Sequence, residues 1–170
     1  PYLEEAPGAW RYEDGWPIAR IKEQPFYPRP DHALADGPAG EGTHLLKYVP
    51  TTGIEAGGPV MWFGDVAHDQ RPTDAFSLVY DTAPLERDTE ILGLPRAILH
   101  VSADAPRANW FARLSDVAPD GTVTLVASAG INGSHRDSDR DPSPLVPGQR
   151  VALQIEMHFT SWVFPAGHRM

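Results

Sequence analysis

The chain of 170 residues has no cysteine. That excludes a disulfide, a thiol nucleophile and any cysteine-ligated metal, and it is compatible with the cytoplasmic location expected for the chain. Positive charge is scarce, with 14 Lys and Arg against 23 Asp and Glu, for a formal net charge of −9. Without a basic stripe to offset that balance, no nucleic-acid partner is expected. No apolar run approaches the roughly 18 residues of a bilayer span, and no basic-then-apolar leader opens the chain, so no membrane partner is expected either. Repeats and low-complexity tracts are missing as well.

Turn formers are abundant by contrast. Eighteen prolines and 15 glycines interrupt the chain too often for long helices, while the 41% apolar content is too high for a disordered chain. Short strands joined by turns satisfy both constraints, and one domain fits the length. Residues 1–50 form an extended lead-in that interleaves Trp10, Tyr12, Trp16, Phe26, Tyr27 and Tyr48 with prolines. Residues 51–75 form a Gly-rich loop carrying the consecutive apolar trio Met61, Trp62 and Phe63. Alternating faces cannot hide three such residues in one core, so they are either wedged between sheets or offered to another domain or ligand.

Core strands are expected from residue 76 to residue 170. Phe76 to Tyr80 is predicted as the first, Ala97 to Ser102 as the next. Trp110, Ala112 and Leu114 then alternate with Phe111, Arg113 and Ser115. Asp120-Gly121 is a tight hairpin signal leading into Val123, Leu125, Ala127, Ala129 and Ile131. From Val151 to Phe159 every second residue is large and apolar, the pattern of a half-buried strand, and Pro165 to His168 is the turn that should return the chain. Met170 falls where a partner strand is expected to begin, so the polypeptide is expected to be a piece of something longer. With no helical crossover available, pairing should be antiparallel.

Chemistry-bearing motifs are sparse. No serine has the flanking glycines of a nucleophile elbow, so no triad is expected within the chain. Asp137, Asp139 and Asp141 start like a calcium loop, but the sixth and twelfth places hold Pro142 and Gly148 rather than glycine and glutamate. Seven histidines, at positions 32, 44, 68, 100, 135, 158 and 168, show no zinc spacing. The glycines of GPAGEG, Gly37 to Gly42, match no phosphate-cradling pattern, so no cofactor is expected. Asn132-Gly133-Ser134 is a glycosylation sequon that carries meaning only in a secreted eukaryotic protein.

Four landmarks stand in order: DQRP at Asp69 to Pro72, FSLVYDTAPL at Phe76 to Leu85, WFARLSDVAPDG at Trp110 to Gly121, and VFPAGHRM at Val163 to Met170. Together they resemble the C-terminal non-catalytic domain of the cocaine-esterase-like (CocE/NonD) serine hydrolases and X-Pro dipeptidyl-peptidases, over nearly the whole chain. The resemblance implies an all-β, antiparallel jelly-roll β-sandwich of the galactose-binding-like type, lacking its last strand or strands. An unpaired edge left in this way invites association. It also implies a catalytic α/β-hydrolase domain of the same parent chain as partner, and an ester or peptide substrate at a shared pocket. Met61, Trp62 and Phe63 match a stretch that can line the acyl pocket in that family, with Asp69 and Arg71 fixing the loop. The alternative is a carbohydrate-binding or other ligand-binding module, for which Trp110 and Trp162 are candidate platforms, although strand alternation favours core packing for both.

Overall fold

The computed structural model describes residues 8–50 and 69–170. Strands β1 (Tyr27–Pro28) and β2 (Leu34–Ala35) precede a one-turn helix α1 (Arg71–Asp74). Six longer strands follow: β3 (Thr89–Gly93), β4 (Arg96–Val101), β5 (Asn109–Val117), β6 (Val123–Asn132), β7 (Val151–Glu156) and β8 (Thr160–Phe164). They pair as β1 with β2, β3 with β8, β4 with β7 and β5 with β6. The fold is all-β and antiparallel, of the β-sandwich class. The residues form two compact units, one of Glu90–Ser115 with Leu125–Trp162, the other of Pro1–Thr89 with Asp116–Thr124 and Val163–Met170.

In the first of these units β4 and β7 run antiparallel, with Ala97 opposite Ile155, Leu99 opposite Leu153 and Val101 opposite Val151. The pleat sends these residues inward, and Leu153 and Ile155 are 1% and 2% exposed. Ala152, Gln154 and Glu156 point out. The predicted strand to Phe159 is too long. Sheet geometry ends at Glu156, Met157 turns its N–H to the Pro95 carbonyl at 2.8 Å, and Phe159 is 56% exposed. Once the ladder stops, sequence period no longer dictates which face a side chain takes. Two glycines make room for aromatics. A Cβ on Gly130 would stand 2.6 Å from Phe111 Cε1, and one on Gly133 would stand 2.4 Å from Trp110 Cζ3. The rings thus lie where side chains of the neighbouring residues are missing.

The second unit departs from expectation at its first predicted strand. Phe76 to Tyr80 has no ladder, because α1 winds on into a turn, with Phe76 N–H on the Thr73 carbonyl (3.1 Å) and Ser77 N–H on the Asp74 carbonyl (3.0 Å). Pro72 near the helix start favours that winding, and the β-like composition of the segment cannot override it. Sheet contact resumes only at Asp81, which forms a parallel bridge with Ala33. The other two turns form where the sequence places them. Gly121 adopts φ +86° and bonds the Ala118 carbonyl at 2.8 Å, and Gly167 adopts φ +84° before Arg169 bridges back onto Val117. Phe164 is fully buried at the end of β8.

Candidate functional site

The landmark segments of the second unit meet one another. Each residue of DQRP has a local task. The Asp69 carboxylate accepts from the Arg71 backbone N–H at 3.1 Å and from Arg71 Nε at 2.7 Å. Gln70 is completely buried and gives its backbone N–H to the Val123 carbonyl at 2.8 Å, while Pro72 occupies the first turn of α1. The Arg71 side-chain bond, and then its backbone N–H, hold the Asp69 carboxyl below its ordinary value. Asp69 in return raises Arg71. Arg71 also lies beside the hairpin tip, where Asp120 accepts the Thr122 N–H at 2.9 Å and is lowered by that bond.

The tail clasps two of the other landmarks. Thr82 N–H reaches the Met170 carbonyl at 3.0 Å, and Leu85 N–H the His168 carbonyl at 2.8 Å. Val117 and Arg169 exchange both of their backbone bonds at 2.9 Å. At the centre the buried Asp116 carboxylate accepts from His168 Nδ1 at 2.7 Å. A carboxylate on imidazole Nδ1 is two-thirds of a nucleophilic triad, yet among the described residues no hydroxyl partners His168 Nε2. Here the pair binds the SDVAPDG segment to the GHR turn, and it leaves the chain without an activated nucleophile at this point. Sequence spacing gave no hint of it. The available signal was that both residues lie inside landmark motifs. The same holds for His32 and His44, which stack on each other beside Tyr80.

Met61, Trp62 and Phe63 lie outside the described residues. Trp110 and Trp162 are half-buried on β5 and β8, and Trp110 packs over Gly133, so neither forms an exposed sugar platform. The aspartate loop is stitched by protein groups. Arg136 donates to the carbonyls of Gly133 and Ser143 at 3.0 and 2.9 Å and pairs with Asp137, while His135 meets Asp139. Asn132 of the sequon caps the 3-10 turn Gly133–His135 by accepting the Ser134 N–H at 3.0 Å. Among the described residues no three acidic or histidine side chains gather as a metal site, and no helix is long and apolar enough to cross a membrane.

The model of the X-Pro dipeptidyl-peptidase C-terminal non-catalytic domain matches residues 2–170. Cocaine esterase of Rhodococcus sp. (strain MB1 Bresler) is 29% identical over 176 residues, covering 95% of this chain and 31% of the esterase. Among solved structures, an aminopeptidase from the marine sediment archaeon Thaumarchaeota archaeon is similar with a TM-score of 0.78. Its identity is 25%, over 95% of this chain and 30% of that one. An α-amino acid ester hydrolase is similar with a TM-score of 0.70 and 27% identity, over 86% of this chain and 27% of that one. The chain spans 31% of the length of the curated relatives it matches. With the four landmarks in place on an all-β fold, the chain belongs to the family of X-Pro dipeptidyl-peptidase C-terminal non-catalytic domains, the accessory C-terminal domain of CocE/NonD and dipeptidyl-peptidase-type hydrolases.

Proposed function

We propose that this chain is a galactose-binding-like jelly roll that packs on the catalytic α/β-hydrolase domain of its own parent polypeptide and shapes the acyl pocket there. The parent is a serine hydrolase acting on esters or on X-Pro amide bonds. Its catalytic domain supplies nucleophile and base for acyl transfer, and this chain supplies an apolar wall through Met61, Trp62 and Phe63. The observation that carries this reading is the anchorage of Asp69, Gln70 and Arg71, directly downstream of that trio in sequence. A loop can hold bulky apolar groups against a substrate only if its ends are fixed on a rigid scaffold, and the buried Gln70 fixes one end.

Trp62→Ala in the full-length hydrolase is expected to lower kcat/KM for aromatic acyl esters about tenfold or more relative to short aliphatic ones, the scale of losing apolar pocket contact. An unchanged profile across the panel overturns the pocket role. The isolated chain is expected to leave p-nitrophenyl acetate untouched, and hydrolysis abolished by a serine-directed inhibitor would contradict its non-catalytic assignment.

A further inference from the structure

The GPAGEG stretch matches no ligand motif, yet its glycines are used. Gly42 passes so close to Pro30 that a Cβ on it would stand 2.9 Å from Pro30 Cγ. Arg29 reaches across to the Gly37 carbonyl through Nε at 3.2 Å and Nη2 at 2.9 Å. The stretch therefore folds back over the Arg29–His32 turn and delivers His44 onto His32. The two imidazoles stack with centroids 4.1 Å apart and planes 1° from parallel. The Tyr80 ring lies against them at 5.4 and 5.6 Å.

Each hydrogen bond in this cluster fixes a proton. A carbonyl only accepts, so His32 Nδ1 carries the proton it gives to Val79 (3.0 Å), and His44 Nε2 the one it gives to Pro30 (3.1 Å). Neutral His44 then presents its Nδ1 lone pair to the Tyr80 hydroxyl, which donates at 2.7 Å. Burial raises the Tyr80 phenol and keeps it a donor. His32 Nε2 has no partner among the described residues. His32 itself is held at φ 66°, in the left-handed region, by its N–H on the Arg29 carbonyl and by the Asp81 N–H on its own carbonyl.

We propose that the His32–His44–Tyr80 stack is an acid-released latch, closed when both imidazoles are neutral, that holds the segment around His44 against the Tyr80 segment. A first proton enters at His32 Nε2 and breaks no hydrogen bond. A second must enter at His44 Nδ1, where it reverses the bond from Tyr80 and places a second positive charge 4.1 Å from the first. The neighbouring charges do not neutralise this. Asp31 is engaged by the Ala33 N–H, Arg29 by Gly37, and Asp81 faces Arg169 at 4.0 Å. Glu41 and Lys47 flank His44 on its own segment with opposite signs, and among the described residues no carboxylate hydrogen-bonds either ring.

Hydrogen exchange read by mass spectrometry on the intact protein tests the latch, at about pH 7.5 and about pH 5, on either side of the range where imidazoles ordinarily titrate. After correction for intrinsic exchange, protection of residues 38–48 is expected to fall about tenfold or more in acid. In His44→Phe, which keeps an aromatic stack but takes no proton, the ratio between the two pH values is expected to approach one. His32→Asn, a residue that tolerates the left-handed region, removes one of the two charges and should move release to lower pH. Equal protection at both pH values in the wild type overturns the proposal. So does a His44→Phe ratio equal to the wild-type one, or an unmoved midpoint in His32→Asn.

Discussion

At the scale of single residues, ordinary side chains are placed by short-range bonds that the sequence does not advertise. Asp69 is the clearest case, since its carboxylate serves both the backbone and the side chain of the residue two positions on. Its folded pKa lies below the ordinary 3.8, so its contribution to stability is present above that value and disappears as pH falls through the folded value. Asp69→Asn is therefore expected to lower Tm by about 2 °C at neutral pH, a small effect because the pair is exposed. The difference from wild type should vanish near pH 2, where the wild-type carboxyl is protonated too. Differential scanning calorimetry across that range checks it, and a gap that persists in acid would mean the ion pair is not its source.

At the scale of elements, β7 shows what periodicity can and cannot decide. Leu153 and Phe159 belong to the same run of alternating apolar residues, yet the first is in the ladder and 1% exposed and the second is past it and 56% exposed. Leu153→Ala is expected to cost about 2–5 kcal/mol in urea denaturation. Phe159→Ala should stay within about 0.5 kcal/mol, and a comparable loss at both positions would refute this division of β7. Strands β4 to β8 and the turns at Gly121 and Gly167 were legible because alternation and glycine placement are local properties. The Phe76–Tyr80 segment was misjudged because a proline-initiated helical turn captures its first residues, an outcome set by the preceding DQRP and not by the strand-like composition. The Asp116–His168 pair was illegible for a different reason. Its members are 52 positions apart, and only the finished fold brings them to 2.7 Å.

Over the whole molecule, the tail is the part on which most distant segments depend. Four backbone bonds and one buried ion pair tie residues 168–170 to Thr82, Leu85, Val117 and Asp116. At about 1 kcal/mol for each backbone bond, and about 2 for a bond to a buried charge, their sum is comparable to the net stability of a small domain. Removal of Gly167 to Met170 is expected to expose residues 82–88 and 116–118 to proteolysis while the β4–β7 ladder keeps its protection. Unaltered cleavage in the truncated chain would show that the clasp is dispensable.

That clasp also sets an order on biogenesis. The Arg29–Ala35 and Val79–Asp81 contacts can close while the chain is still being made, because both partners have already left the ribosome. Thr82 and Val117 must wait, their backbone groups unpaired, until Arg169 and Met170 emerge. Completion of this unit is thus deferred until the last of these residues has been translated, and an arrest of synthesis shortly before Gly167 would leave a nascent chain with its ladders formed and its clasp open.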